Sequence, residues 1–179
     1  MLNTGDAMKQ KGIVLWFTGL PCSGKTSISK RLHARLSKDS LRSYVLDGDV
    51  IRKGLCADLG FTESDRHENI RRIGEVSRLF ADSGQIIIVA FISPFRQDRD
   101  RVRNILKSDQ FVEVYVDCPM EVCEQRDVKG MYKKALNGEI KNFTGVSSPY
   151  EPPLNPEIHL ETHKLSLEEC VDEVYKYLT

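Results

Sequence analysis

A glycine-rich octapeptide between an apolar run and an amphipathic stretch constrains the fold of this chain more than any other feature. Residues 19–26 read Gly-Leu-Pro-Cys-Ser-Gly-Lys-Thr and match the pattern G-x-x-x-x-G-K-[ST]. Residues 13–17 before it are all apolar, and Ile28, Leu32 and Leu36 after it recur at helical spacing. The order of strand, glycine turn and helix predicts a phosphate-binding loop at the end of a buried strand.

This loop predicts a nucleotide site. Glycine allows the tight turn that aims several backbone N–H groups at one phosphate, beside the positive end of the following helix. Lys25 is expected to reach the β- and γ-phosphates, and the Thr26 hydroxyl to hold Mg²⁺. The Asn-Lys-x-Asp guanine reader of GTPases does not occur in the sequence, so ATP is the expected nucleotide. The predicted ATP-binding residues are Gly19, Leu20, Pro21, Cys22, Ser23, Gly24, Lys25 and Thr26.

Short apolar runs alternate with helical patterns along the rest of the chain. Strands are predicted at 13–17, 44–46, 86–92 and 111–116, with a short fifth one around Ile158 and Leu160. Helices are predicted from about Gly24, over 70–80 and over 167–178. The long helix is expected to start at Asp65 and Glu68 in the manner of a capping box. This alternation predicts an α/β fold with a parallel sheet covered on both faces, in one domain spanning 1–179.

Composition narrows the class of protein. The chain has 26 basic and 26 acidic residues, so it lacks the net charge that would attract nucleic acid. The longest apolar run, residues 86–92, is far below the roughly 20 residues of a membrane span. No secretory signal is visible at the N-terminus, which predicts a cytoplasmic protein. Five scattered cysteines are expected to be reduced thiols.

Residues 127–156 carry glycines, prolines and lysines but no core pattern. A long basic excursion of this kind in a compact domain is usually functional and often forms a lid.

A second candidate site is the sequence Asp47-Gly48-Asp49 at the end of a predicted buried strand. One carboxylate there can accept a proton from an attacking hydroxyl, and the other can orient Mg²⁺-bound water or the acceptor. An ordinary Asp-Gly turn explains the same residues equally well.

A third feature combines cations, an aromatic ring and an amide that could bind an acceptor molecule. Guanidinium groups favour phosphate or sulfate, and an aromatic face can stack on a purine. A hydrophobic staple at Phe61 and a solvated helical face are the alternatives. The candidate residues are Arg52, Phe61, Arg66, Asn69, Arg71 and Arg72.

With these residues in view, the chain resembles the adenylylsulfate kinase (APS kinase) family from about Gly12 to the C-terminus. Other small-molecule kinases share the glycine-rich loop but not the stretches that carry this resemblance. These stretches are residues 47–49 with Arg52 and 54–55, residues 68–76 and 79–82, residues 92–94 with Arg96, Asp98 and Arg99, and residues 143–145 leading to 149–155.

The resemblance implies a P-loop NTPase-type three-layer αβα fold with a mostly parallel five-stranded sheet and a lid. It implies transfer of the γ-phosphoryl group of ATP to the 3′-hydroxyl of adenosine 5′-phosphosulfate (APS), with Mg²⁺, in sulfate activation. A homodimer and a functional link to sulfate adenylyltransferase are also implied. Two alternatives remain: another small-molecule or nucleoside monophosphate kinase, and a non-catalytic nucleotide-binding module.

Roles carried over from the family fall on matching positions. Asp47 matches the proposed base for the 3′-hydroxyl, and Phe61 and Phe143 match a pair that sandwiches the acceptor adenine. Arg126 matches an arginine that lies against the ATP adenine, and Ser93 matches a serine described as a phosphorylated intermediate in some members. The remaining expected acceptor-binding residues are Asp49, Arg52, Arg66, Asn69, Ser93, Lys129 and Lys141.

Two positions depart from the family pattern. Val128 replaces a proline after Arg126 and Asp127, which predicts a looser lid hinge because valine does not fix φ. Cys22 lies inside the loop beside backbone amides and a helix N-terminus, a setting that predicts a lowered thiol pKa.

Overall fold

The computed structural model describes residues 10–178 and contains all five predicted strands in one sheet. The strands are β1 (Ile13–Thr18), β2 (Ser43–Asp47), β3 (Ile86–Ala90), β4 (Phe111–Asp117) and β5 (Ile158–Glu161). The helices are α1 (Lys25–Lys38), α2 (Gly48–Ile51), α3 (Glu63–Asp82), α4 (Arg96–Ile105), α5 (Met120–Arg126), α6 (Met131–Leu136) and α7 (Leu167–Leu178). The predicted α/β class is confirmed.

The strand order places the glycine-rich loop at the centre of the molecule. The order is β2-β3-β1-β4-β5, and all four neighbouring pairs are parallel. The chain builds one side of β1 with β2 and β3 and then crosses to the other side for β4 and β5. Ligands bind at such a switch point, outside the carboxyl ends of the strands. The turn after β1 lies at that point.

Helices cover both faces of the sheet, which makes three layers. One core cluster joins α1 and α7 to Leu15 and Phe17 of β1. The other joins α3 and α4 to Val14 and Trp16 of the same strand. Successive side chains of a strand point to opposite faces, so the unbroken apolar run of β1 reflects burial on both sides.

The start of α3 differs from the prediction. Thr62 is the N-cap, and Asp65 is its reciprocal partner in a capping box. Glu68 takes no part in the cap, because its carboxylate binds Arg71 and Arg72. A capping box is present, but it lies three residues earlier than predicted, so Asp65 is its second member and not its first.

Four helices were not predicted from the sequence. The segment that forms α4 reads Arg-Gln-Asp-Arg-Asp-Arg-Val-Arg-Asn-Ile, so its apolar periodicity is too sparse to detect. The other three, α2, α5 and α6, have four to seven residues, too short for a 3.6-residue period to show. The third strand also ends at Ala90, two residues before the predicted end. Within residues 10–178, none of the helices has the length and apolar character to cross a membrane.

Replacing a buried leucine of α1 should destabilise the layer that supports the glycine-rich loop. Leu32 is fully buried in the core between α1 and the sheet, so Leu32→Ala removes packed methyl groups and leaves a cavity. We expect it to lower the free energy of unfolding by about 2–5 kcal/mol, measured by urea denaturation. Leu79→Ala is the matched control, because that side chain is 61% exposed. Equal losses in the two variants would contradict the burial pattern.

Candidate active site

The glycine-rich loop has the backbone shape of a phosphate cradle. A side chain at Gly19 would lie 2.4 Å from the carbonyl oxygen of Val116, and Gly24 has φ +110°. Only glycine fits the first position, and the second strongly favours it. Gly24 is the N-cap of α1 and provides no side-chain cap. The first amides of α1 are therefore available to an anionic ligand.

Lys25 is buried and folded back onto the loop. Its Nζ donates to the carbonyl oxygens of Gly19 at 2.9 Å and Leu20 at 2.6 Å, and to Ser23 Oγ at 3.3 Å. Burial lowers the pKa of Lys25 to about 8. A phosphate at this position would supply the negative charge that this buried ammonium group lacks.

Thr26 and Asp47 are hydrogen-bonded across the edge of the site. The Thr26 hydroxyl donates to Asp47 Oδ2 at 3.0 Å, while Asp47 Oδ1 accepts from the backbone N–H of Asp49 at 3.0 Å. The sequence left open whether Asp47-Gly48-Asp49 is only a turn. It does cap α2, and it also brings a carboxylate to the loop. A hydroxyl and a carboxylate oxygen are ligand types that Mg²⁺ accepts alongside phosphate oxygens and water, so these residues fit the expected ion.

The carboxylate of Asp49 is paired with a cation of the segment predicted to be a lid. Lys129 Nζ forms an ion pair with Asp49 Oδ2, and this contact raises the pKa of Lys129. Both side chains are exposed, so the pair contributes little to stability. Lys141, the other predicted lid cation at the site, is exposed.

On the other side of the site, two guanidinium groups lie against one exposed aromatic ring. The guanidinium carbons of Arg52 and Arg66 lie 4.3 Å and 5.8 Å from the ring centroid of Phe61. Phe61 is 57% exposed, and the position where a staple partner would lie is Arg66. The hydrophobic-staple alternative is therefore wrong.

Arg52 and Arg66 are cations whose hydrogen bonds go to backbone carbonyls. Arg52 donates to Leu59 and Gly60, and Arg66 donates to Phe61 and Asn142. Within residues 10–178 neither group has a carboxylate at ion-pair distance, and burial lowers the pKa of both. An anion would offset this burial of positive charge.

Asn69 lies one helical turn after Arg66 and adds a polar group to this cluster. It is 3% exposed, and its Oδ1 accepts no hydrogen bond from the part of the chain that the structure describes. A buried amide oxygen without a donor is costly, so a ligand donor is a natural partner. Arg71 and Arg72 do not join this cluster, because Glu68 and Asp58 neutralise them.

The segment predicted to be a lid has a core of its own, contrary to the expectation from its sequence. Tyr132, Ala135 and Phe143 are buried together with Cys118 and Cys123. The rings of Tyr132 and Phe143 meet edge to face at 5.0 Å. The sequence signal is short: residues 132, 135 and 136 are apolar at helical spacing within six residues. Phe143 thus lies inside this core, whereas Phe61 lies beside Arg52.

Asp127 holds the hinge of the lid. Its carboxylate accepts from the backbone N–H groups of Met131 at 2.8 Å and Lys133 at 3.1 Å, which ties the hinge to the start of α6. Val128 is 89% exposed and makes no packing contribution. The Asp127 side chain therefore supplies a restraint at the position where a looser hinge is predicted.

Arg126 is joined to the loop through a residue that the sequence did not single out. Its guanidinium donates to the carbonyl oxygen of Thr162 at 2.7 Å and to Thr162 Oγ1 at 3.2 Å. The Thr162 hydroxyl in turn donates to the carbonyl oxygen of Ser23 at 2.8 Å. Thr162 follows β5 and belongs to no motif, so no sequence signal marks it.

Ser93 is buried behind the site. Its hydroxyl accepts from Trp16 Nε1 at 3.1 Å, and its carbonyl oxygen accepts from Arg99 at 2.6 Å. The residue has φ +39° and is 1% exposed. These contacts fix the segment after β3.

Cys22 does not have the predicted lowered pKa. Burial raises the pKa of the thiol, because the side chain packs against the core of the lid instead of facing the helix N-terminus alone. Desolvation of the thiolate outweighs the nearby amide and the lysine cations. All five cysteines are free thiols, as predicted.

The fold and the site together define a P-loop phosphotransferase. A sequence model of the family described as adenylylsulphate kinase matches residues 11–161. A probable adenylyl-sulfate kinase of Halalkalibacterium halodurans is 58% identical over 94% of this chain and 83% of its own. An adenylyl-sulfate kinase of Clostridium acetobutylicum is 57% identical over 98% of this chain and 88% of its own.

A solved structure agrees with these relatives. The APS kinase of Mycobacterium tuberculosis in complex with AMPPNP and APS has a TM-score of 0.90 and 44% identity, covering 94% of this chain and 98% of that one. The chain belongs to the adenylylsulphate kinase family. The predicted family, fold class and kinase activity are thereby confirmed.

Binding of ATP should take up protons above neutral pH. The pKa of Lys25 is about 8 in the free protein, and the phosphates will favour its charged form and raise that pKa. The complex then binds more protons than the free protein, so ATP affinity should fall by up to about tenfold per pH unit above 8. Calorimetry in buffers of different ionisation enthalpy, from pH 7 to 9, measures this uptake.

Lys25→Arg is the matched control for this measurement, because arginine stays charged throughout the range. Whatever the ATP affinity of this variant, its binding of ATP should show no proton uptake between pH 8 and 9. Equal uptake in both proteins would assign the titration to another group.

Proposed function

We propose that this chain transfers the γ-phosphoryl group of ATP to the 3′-hydroxyl of APS with Asp47 as the base, in a single direct step. One observation carries the assignment of Asp47. Its carboxylate lies 3.0 Å from the Thr26 hydroxyl and thus joins the phosphate-binding loop to the element that leads to Arg52. A carboxylate in that position can lie close to both the phosphoryl donor, ATP, and the phosphoryl acceptor, APS.

Every proton and electron pair of this step is accounted for by ATP, APS and Asp47. Asp47 accepts the proton of the 3′-hydroxyl as that oxygen forms a bond to the γ-phosphorus. The bond between the γ-phosphorus and the β–γ bridging oxygen breaks, and its electron pair leaves on ADP. The protein forms no covalent bond to the transferred group, so it accelerates the reaction by positioning the reactants and stabilising their charge.

Charge stabilisation comes from the loop and the lid. The amides of residues 19–26 and the Lys25 ammonium group surround the phosphates of ATP, and Lys129 and Lys141 approach from the lid. Thr26 would hold Mg²⁺, which would supply further positive charge to the phosphates of ATP. The lid excludes water, which limits hydrolysis of ATP.

Recognition of the acceptor rests on the cluster opposite the loop. Arg52 and Arg66 supply positive charge for the phosphosulfate group, with Asp49 and Lys129 at its border. Phe61 offers an exposed ring to the adenine, and Phe143 completes the pair once it turns out of the lid core. The free Oδ1 of Asn69 accepts a donor from the ligand. Arg126, beside the loop, lies against the adenine of ATP.

Direct transfer is favoured over a phosphoserine intermediate by the surroundings of Ser93. The residue is 1% exposed and its hydroxyl accepts from Trp16 Nε1, so a phosphate could reach it only after this segment rearranged. Ser93 acts here by shaping the segment that borders the acceptor.

Assembly and setting rest on the family resemblance. The proposed active form is a cytoplasmic homodimer built from one domain, residues 1–179. Its acceptor is supplied by sulfate adenylyltransferase, the activity that joins sulfate to the adenylyl group of ATP.

The decisive experiment is ADP release from Mg²⁺-ATP with APS, AMP, shikimate or gluconate as the acceptor. We expect release with APS alone. ADP release with another acceptor would support kinase activity but reject APS as the substrate. ATP binding with no stimulated release by any acceptor would favour the non-catalytic alternative.

Asp47→Asn tests the base. It keeps the size of the side chain and removes the proton acceptor, so we expect kcat to fall by about 10²–10⁴-fold with little change in ATP affinity. Asp49→Asn is the comparison: it breaks the ion pair with Lys129 and should mainly raise the KM for APS. A similar kcat loss in both variants would reject Asp47 as the base.

A further inference from the structure

Four carbonyl groups of the phosphate-binding loop accept hydrogen bonds from side chains. A peptide carries its N–H and C=O on opposite sides, so a carbonyl held outward aims the neighbouring N–H inward. Lys25 binds the carbonyl oxygens of Gly19 and Leu20. The carbonyl oxygens of Pro21 and Ser23 are bound by two other residues, Tyr132 and Thr162.

Tyr132 reaches the loop from α6 of the lid. Its hydroxyl donates to the carbonyl oxygen of Pro21 at 3.1 Å, and the residue is 1% exposed. Its ring is held edge-on by Phe143. Burial raises the pKa of the Tyr132 hydroxyl, so this group stays protonated and remains a donor at neutral pH. The lid is thus fastened to the loop itself.

Thr162 reaches the loop from the end of β5. Its hydroxyl donates to the carbonyl oxygen of Ser23 at 2.8 Å, and its own N–H donates to the carbonyl oxygen of Asp117 at 2.9 Å. The Arg126 guanidinium donates to the hydroxyl and to the carbonyl oxygen of Thr162. Thr162 therefore ties the loop to the sheet edge and to the first residue of the lid hinge.

The two contacts gain importance when ATP binds. We expect Lys25 to turn from the carbonyl oxygens of Gly19 and Leu20 to the phosphates, so its own contacts with the loop carbonyls are released. The contacts from Tyr132 and Thr162 do not involve a group that binds phosphate and can persist.

We propose that Tyr132 and Thr162 are positioning residues that hold the phosphate-binding loop in its ATP-binding shape from the lid and from the sheet edge. The inference rests on the proposed role of residues 19–26 in binding ATP. It adds that the lid contributes to ATP affinity through the loop backbone, independently of its lysines. Neither residue needs to touch the nucleotide for this effect.

Tyr132→Phe and Thr162→Val each remove one hydroxyl and keep most of the side-chain volume. We expect each to raise the Kd for Mg²⁺-ATP, measured by calorimetry without acceptor, by about three- to tenfold, the range of one net hydrogen bond. The KM for APS should stay within twofold. Because the calorimetry needs no acceptor, its outcome does not depend on whether APS is the substrate.

Matched variants separate positioning from general stability. Thr162→Ser keeps the hydroxyl and should restore the Kd to within twofold of the starting protein. Tyr177→Phe removes a hydroxyl from an exposed tyrosine of α7 and should leave the Kd unchanged. The thermal midpoint of each variant is recorded alongside.

A Kd within twofold of the starting protein in both Tyr132→Phe and Thr162→Val would overturn the proposal. So would equal increases in the KM for ATP and for APS with a lowered thermal midpoint, since that pattern describes a general loss of structure. If Thr162→Val does not fold, the Tyr132→Phe result decides the proposal alone.

Discussion

The backbone turn at the end of β1 is the constraint on which the rest of the site depends. Gly19 lies so close to Val116 that a side chain cannot fit, and this close approach packs the loop onto the end of β4. The loop therefore has one place in the sheet, at the centre, where β3 and β4 flank β1. Every other functional group has to reach that point from its own element.

Several elements do so through hydrogen bonds to the loop and its flanks. Asp47 arrives from β2 and binds Thr26, and the lid arrives from α6 and binds Pro21. On the acceptor side, Arg66 of α3 binds the backbone of Asn142 in the lid. The loop is thus hydrogen-bonded to β2 and to the lid, and the lid is hydrogen-bonded to α3.

The predictable part of the fold is the part with a strong local pattern. The octapeptide 19–26, the apolar strands and the helices α1, α3 and α7 all have such a pattern, and the structure contains them. The apolar pattern fails where the buried side chains are charged. Helix α4 buries Asp98 and Arg99, which bind His67 and Glu113. A charged segment of this kind cannot be told from a surface loop without its partners.

The same distinction applies to the site. Residues with a motif, such as Lys25 and Asp47, could be named in advance, and the cluster of Arg52, Phe61 and Arg66 is assembled as expected. Thr162 could not be named in advance, because its contact is with Ser23, which lies 139 positions away in the sequence. Cys22 shows the reverse error: its neighbours along the chain favour a thiolate, and its neighbours in space bury the thiol.

The contact between Trp16 and Ser93 gives the molecule an internal optical probe. Trp16 is the single tryptophan of the chain and is fully buried in β1, so all indole emission comes from one dry position. Its N–H is bound by Ser93 in the segment that follows β3. Intrinsic fluorescence therefore follows the conformation of that segment without a label, and solvent reaches the indole when the layer of α3 and α4 separates from the sheet.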